Sequence, residues 1–416
     1  MAGEVPRGWA RRQLRDLCTP VRDAVDVDVD AVYQEIGIRS HGKGVFIKPP
    51  TTGRKLGEKR VFRVVPDAFV ANIVFAWEGA LARTTTEHAD MVASHRFPMW
   101  QVVPDRLDLG FLVHYFRTAA GVALAAQSSP GGAGRNRTLN QTAFLRSFLP
   151  LPPLPEQQKI AAILSSVDDA IRATEAVIEQ TRRVKQALLQ ELLTRGIGHT
   201  RFKRTEIGEI PAGWGVSALR TLIADIVPGK SPPADDAPAA ADAWGVLKVS
   251  AVSDGGFRPS QNKSLPSGYP VAEEHVVRGG DVLMTRANTA DLVGASCRVP
   301  PGEFRLMLCD KTLRVVPDIA RLRADFLALT LAQPRARAFF SAHATGSSAS
   351  MKNIGQEHIR AFLVAVPSLS EQAEIAARVA AVEDSQRASA GLARSLRTTK
   401  SALLSALLTG RVRVTP

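Results

Sequence analysis

The chain has 416 residues, with 53 Lys+Arg against 40 Asp+Glu and a formal net charge of +13. Hydrophobic residues make up 45% and charged residues 22%, which excludes a disordered basic tail and supplies apolar material for real cores. At roughly 100–200 residues per domain, that length predicts two to four folding units. No apolar run approaches the ~18 residues of a membrane helix, and the opening residues hold no apolar signal core. Cys18, Cys297 and Cys309 are odd in number and widely spaced, so they form neither a disulfide framework nor a zinc set. A cytoplasmic location is therefore expected. The basic excess points to a polyanionic partner.

The charge is shared evenly. Residues 1–200 hold 26 Lys+Arg and 20 Asp+Glu, and residues 201–416 hold 27 and 20. An even split suggests two comparable units, and the sequence repeats. Gly3-Glu4-Val5-Pro6-Arg7-Gly8-Trp9 matches Gly208-Glu209-Ile210-Pro211-Ala212-Gly213-Trp214, 205 residues on. Pro152-Pro153-Leu154-Pro155-Glu156-Gln157 matches Pro367-Ser368-Leu369-Ser370-Glu371-Gln372, 215 residues on. The same offset pairs Lys185, Leu188, Leu189, Leu192, Leu193 and Thr194 with Lys400, Leu403, Leu404, Leu407, Leu408 and Thr409.

In chain order, residues 1–150 read as a mixed α/β domain. Val61–Val65 and Phe69–Phe75 are β-rich runs, and Phe111–Phe116 looks helical after the Val103-Pro104-Asp105 turn. A long helix follows within 151–200, starting near Pro155 and ending about Arg195, where Gly196 stops it. Ile160, Leu164, Val167, Ile171, Thr174, Ile178, Thr181, Lys185, Leu188 and Leu192 alternate spacings of four and three, a coiled-coil seam. Ile163, Ala170, Val177 and Val184 widen it into a broader stripe.

Residues 201–366 form the second α/β domain, with Lys311–Val316 as strand and Phe326–Leu331 as helix. Its Ser231–Ala243 stretch, rich in Pro, Ala and Asp, reads as a mobile loop. Residues 367–416 hold the second long helix, with the seam Ile375, Val379, Val382, Gln386, Ser389, Ala393, Leu396, Lys400, Leu403 and Leu407. The polar members of both seams either set register or face solvent. The expected fold class is α+β, with two α/β domains separated by two long antiparallel coiled-coil helices in a pseudo-twofold repeat.

Candidate binding residues cluster in four places. Lys43, Lys48, Arg54, Lys55, Lys59, Arg60 and Arg63 stand against Glu58 alone, with glycines and Thr51-Thr52 suited to backbone approach to phosphates. Such a run can also be a solvated face. The loop from Gly131 to Thr138 carries Arg135, Asn136 and Arg137, side chains able to read guanine and adenine edges. Arg286 with Asn288, and Lys352 with Asn353, hold similar places in the second half.

Catalytic signatures do not emerge. Val227-Pro228-Gly229-Lys230-Ser231 resembles a phosphate loop, but Ala224 stands where its first glycine is needed. No Gly-x-Gly-x-x-Gly run follows a strand, and no His or Cys pair has metal-ligand spacing.

The pattern resembles the specificity (S) subunit of type I restriction–modification systems. It rests on both Pro-x-Leu-x-Glu-Gln joints with their Leu-rich helices, on the Gly-Trp openings, and on Gly280-Asp281-Val282-Leu283-Met284-Thr285-Arg286. The resemblance implies a non-catalytic, sequence-specific DNA-recognition subunit active in phage defence. Each domain would be a target recognition domain for one half of a bipartite site in double-stranded DNA. The helices would set the gap and dock two methyltransferase subunits, with restriction (motor) subunits joining for cleavage. It implies no cofactor on this chain, with S-adenosylmethionine, ATP and Mg on the partner subunits. The first domain lacks the Gly-Asp-Val-Leu run, which implies that the two domains read different half-sites. Two other classes stay open. A coiled-coil adaptor that binds only proteins would show no salt-sensitive DNA binding. A DNA-modifying enzyme with a degenerate motif would act on DNA without any partner.

Overall fold

A computed structural model describes residues 5–131, 137–253, 256–348 and 351–414. The chain divides into two compact units. One comprises Met1–Val177 with Ser389–Pro416, and the other Ile178–Ala388. The class is α+β. In the named ladders all strand pairs are antiparallel except Gly245–Leu247 with Glu303–Met307.

In the first unit, a four-stranded sheet runs Leu81–Arg83, Phe69–Ala71, Met99–Val102, Cys18–Val21. Phe69, Trp100, Phe116 and Phe144 stack over it in one aromatic cluster. In the second, Ile223–Pro228, Thr312–Pro317, Val282–Thr285 and Ser296–Arg298 form the corresponding sheet. The predicted helices are present as Leu109–Tyr115 and Ala324–Leu331.

The repeated segments lie together in space. Ala10–Gln13, just after the first Gly-Trp, pairs with Phe148–Leu151, just before the first joint. Gly215–Ala218 pairs with Leu363–Val366 in the same register. The motifs at the two ends of each copy thus belong to one structural piece, which is why they recur as a set.

The long helices are Leu154–Thr194 and Leu369–Leu408, of 41 and 40 residues. Each ends before a glycine in the left-handed region, Gly196 (φ 66°) and Gly410 (φ 69°). A Cβ on Gly196 would also strike Glu371 and Trp214. Within the first unit, Asp168 pairs with Lys400 and Glu175 with Arg397. Within the second, Lys185 pairs with Glu383 at 2.6 Å. Within the first unit rising numbers on one helix meet falling numbers on the other, so the two helices run antiparallel there.

The seam positions are shielded to different depths. Ile160, Leu164, Ile171, Leu192, Ile375, Val379, Ala393 and Leu407 are buried. Val167, Ile178, Leu188, Val382, Leu396 and Leu403 are half-buried, as are Thr174, Thr181, Gln386 and Ser389. The polar members therefore do not face open solvent. The broader stripe holds in part: Ile163 and Ala170 are half-buried, with Ile163 against the first core, whereas Val177 and Val184 are 51% and 45% exposed.

Sequence order suggests that each domain owns the helix that follows it. Instead, Leu192 and Leu193 pack into the second unit's core with Trp214, and Leu407 and Leu408 into the first unit's core with Trp9. The Ser231–Ala243 stretch is irregular but fastened. Asp235 exchanges backbone hydrogen bonds with Ser264, and the Ala239 N–H donates to Asn262 Oδ1 at 2.8 Å.

Candidate nucleic-acid interface

Each unit is mounted on the helices by its joint. Gln157 is fully buried. Its Oε1 accepts from the Asp108 N–H at 2.9 Å, and its Nε2 donates to the carbonyls of Arg106 (3.1 Å) and Pro152 (2.8 Å). Gln372 repeats all three bonds, with Arg323 N–H (2.9 Å), Arg321 O (3.0 Å) and Pro367 O (3.0 Å). The neighbouring glutamates anchor the chain beyond the helix ends. Arg413 donates two hydrogen bonds to buried Glu156, at 2.7 and 2.8 Å. The Arg413 contact holds that carboxyl below the usual carboxylate range. Glu371 accepts from Trp214 Nε1 (2.9 Å), Ile197 N (3.0 Å) and His199 Nε2 (2.8 Å).

The basic segment of the first unit is thinned by the fold. Glu35 and Phe97 take up half-buried Lys48, at 3.4 Å from the carboxylate. Arg54 meets Asp30, and Arg63 meets Asp23 and Asp90. These acids lie outside the run, so a window count missed them. Lys43, Lys55, Lys59 and Arg60 stay exposed. Among the described residues none of these four has an ion-pair partner. Gly53 does not serve phosphate approach: a Cβ there would overlap the Asp28 carbonyl, so it packs on backbone.

Beside the segment lies an open cavity of about 650 Å³ lined by His41, Trp77, Glu78 and Arg117. Backbone bonds from His41 and Gly42 to Glu78 and Gly79 hold the basic segment against this turn. The Arg137 guanidinium lies 5.6 Å from the Trp77 ring centroid. Lys43 and Arg137 therefore converge on one turn from distant parts of the chain. Arg135 and Asn136 lie outside the described residues.

In the second unit the fold joins two predicted loops into one ribbon. Ala287–Asn288 pairs with Met351–Asn353, which pairs with Thr345–Ser348. Asn288 stands opposite Lys352, and Ala287 opposite Asn353. Next to the ribbon an open cavity of about 500 Å³ is lined by Arg286, His343, Thr345, Asn353, Gln356 and His358, with Glu357 as its carboxylate. Arg286 is exposed with no ion-pair partner among the described residues. The Lys352 ammonium donates to the Gly346 carbonyl at 2.6 Å. His343 and His358, with ring centroids 5.2 Å apart, escaped the sequence reading, because only the fold brings their helices together. The Gly-Asp-Val-Leu run is structural: buried Arg314 donates to Asp281 at 3.0 Å and to the Val276 carbonyl at 2.9 Å.

No group of three or more His, Cys, Asp or Glu is placed to hold a metal among the described residues. No single helix among them is long and apolar enough to cross a membrane.

These observations define a class: a duplicated α+β chain in which each unit carries its own copy of one glutamine joint and a different polar edge. Residues 6–182 match the family described as "Type I restriction modification DNA specificity domain". The type I restriction enzyme EcoEI specificity subunit of Escherichia coli is 32% identical over 177 residues, 42% of this chain and 29% of that one. The putative MjaX specificity subunit of Methanocaldococcus jannaschii is 28% identical over 280 residues, 67% of this chain and 62% of that one. Both alignments thus span less than two thirds of those relatives. The type I restriction–modification S subunit from M. genitalium shares the fold at a TM-score of 0.61 and 12% identity, covering 98% of this chain and 97% of that one. Residues 6–182 are thus similar to the specificity subunits of type I restriction–modification systems.

Proposed function

We propose that this chain is the non-catalytic, sequence-specific DNA-recognition subunit of a type I restriction–modification complex, working in the cytoplasm. The observation that carries the reading is the joint. The same three-bond glutamine clamp recurs beneath two units whose candidate reading edges differ in residue and geometry. That is what a bipartite reader needs: identical mounting and separate specificity. Residues 1–150 and 201–366 are the target recognition domains, and the helical parts, 151–200 and 367–416, form an antiparallel coiled-coil spacer with pseudo-twofold symmetry. Lys43, Lys55, Lys59 and Arg60 supply phosphate contacts, which give affinity without sequence information. Arg137 in the first unit, and Arg286, Asn288 and Asn353 in the second, read base edges, as suits side chains that can pair with guanine or adenine. Two methyltransferase subunits dock on the spacer, and restriction subunits join them. S-adenosylmethionine, ATP and Mg belong to those partners.

The test is the methylome of cells expressing the chain with its methyltransferase. Exchanging residues 1–150 for another member's domain is expected to change one half-site and leave the other intact. Movement of both halves, or of neither, would defeat the reading. On the same readout, Arg286→Ala is expected to relax one position of the second half-site, at a cost of about 1–3 kcal/mol per lost bidentate contact. An unaltered motif would remove Arg286 from the reading set.

A further inference from the structure

Asp168 sits on the first long helix and is 17% exposed. It holds two cations from two other elements. Arg117, just past the Leu109–Tyr115 helix of the globular part, donates to its Oδ2 at 2.7 Å. Lys400, on the second long helix, donates to its Oδ1. Burial pushes the Asp168 carboxyl up, but the Lys400 hydrogen bond and the Arg117 charge outweigh it, and the carboxyl titrates below its ordinary value. Beside this node His114 is buried, 3.3 Å from Ser165 Oγ across the same packing surface.

The second unit has half of this arrangement. At the 215-residue offset, Lys400 corresponds to Lys185 and Asp168 to Glu383, and these two pair at 2.6 Å. Arg117 corresponds to Ala332. The ion pair that ties helix to helix is thus duplicated, while among the described residues the second unit has no counterpart of the Arg117 arm that ties globular part to helix.

We propose that Asp168 is a positioning residue: through Arg117 and Lys400 it locks the first globular part onto both helices and so fixes where the first half-site is read. The inference rests on the DNA-recognition reading above. A carboxylate accepting charge-assisted hydrogen bonds from two cations in a partly desolvated place holds both in fixed geometry, and losing it leaves two like charges side by side without a counter-charge. Without the lock, the glutamine clamp at Gln157 and the apolar packing of Ile160, Leu164, Leu407 and Leu408 still attach the globular part, but apolar contacts are non-directional and leave its angle loosely set. The attached part can then pivot, and the distance between half-sites loosens.

The experiment compares methylomes of cells carrying the native chain, Asp168→Asn, Arg117→Met or Glu383→Gln, each with the methyltransferase subunit. Asp168→Asn and Arg117→Met are expected to keep both half-site sequences. They should raise methylation at gaps one base pair longer or shorter by about tenfold, the scale on which losing one strong ion pair reads. Asp168→Glu should restore the single gap, and Glu383→Gln should keep it. Arg117→Met preserves the packed stem, so it carries the test if Asp168→Asn does not fold. A single unchanged gap in folded Arg117→Met overturns the lock. Equal loosening by Glu383→Gln overturns it too, because helix pairing alone would then set the gap. A native chain that directs no methylation to any bipartite site instead defeats the recognition reading itself.

Discussion

Gln157→Leu is expected to destabilise the first unit by about 3–5 kcal/mol, the cost of stranding three buried polar groups at about 1–3 kcal/mol each after partial relaxation. Those groups are the Asp108 N–H and the carbonyls of Arg106 and Pro152. Leucine fills nearly the same volume, so the change removes hydrogen bonds and creates little cavity. The Asp108 side chain caps the Leu109–Tyr115 helix by accepting from Phe111 N at 2.8 Å, so loosening residue 108 also frays that helix. Gln372→Leu should cost a similar amount in the second unit, where Arg323 N and the carbonyls of Arg321 and Pro367 lose their partner. Urea unfolding of the full chain, followed by hydrogen exchange on residues 105–116 and 320–331, separates the units. Gln157→Leu should lower protection in the first window alone. Unchanged protection would mean that water replaces the amide, and that the joint motif is not what holds the globular part.

The second large effect is a loss of stability in mild acid, traced to His114. This ring is 3% exposed, and its Nδ1 has no hydrogen-bond partner among the described residues. Burial, and then the charge of Arg117, lower its pKa from 6.5 to about 4. Between those values the unfolded chain binds a proton that the folded chain refuses, so stability rises with pH across that interval. The contribution is complete above about pH 6.5 and drains away as pH falls toward 4, by about 3 kcal/mol in total at ~1.4 kcal/mol per unit. Asp168 and Glu156, whose pKa values are lowered, lose their stabilising contribution further into acid, below the ordinary carboxylate values. The interval from 6.5 to about 5 therefore isolates the histidine from these carboxylates. His114→Leu places at this site the residue found at the equivalent position of the second unit, Leu329. It should flatten the difference in unfolding free energy between pH 7 and pH 5 in the first unit. An undiminished slope would assign the acid sensitivity elsewhere.

Much of the scaffold was legible because local rules carry it. Alternating four- and three-residue spacing can form a buried seam only on a helix, and the first long helix appears within a residue of its predicted ends. Pro-Asp turns before apolar runs marked the helices Leu109–Tyr115 and Ala324–Leu331. The repeated Glu-Gln pair marked a joint, although its chemistry was hidden. No spacing rule says that Gln157 reaches back 51 residues to Arg106, or that Glu371 reaches Trp214 across 157.

The candidate interface was legible in residue type and not in arrangement. A run of cations such as Lys48, Arg54 and Arg63 looks free when only its neighbours are counted, yet Glu35, Asp30, Asp23 and Asp90 arrive from other strands. Arg286, Asn288, Lys352 and Asn353 were named from two loops about 65 residues apart, a separation that by itself predicts no contact. Strand pairing puts them on one ribbon, and helix packing brings His343 and His358 beside it.

Length, composition and an evenly divided charge, read with the two sets of matching motifs, determined that this protein is a duplicated basic chain with two long helices. Those are properties of order and period along the chain, which hydrophobic burial converts directly into helices and cores. Tertiary structure alone decided the ownership of the helices, with Leu192 and Leu193 finishing one core and Leu407 and Leu408 the other. It alone decided which cations stay unpaired, and that Asp168 gathers Arg117 and Lys400 while Glu383 has only a helix partner across the pair. The physical reason is the same in each case: burial of an apolar face is specified by local period, but charge pairing depends on which distant groups packing brings within about 4 Å.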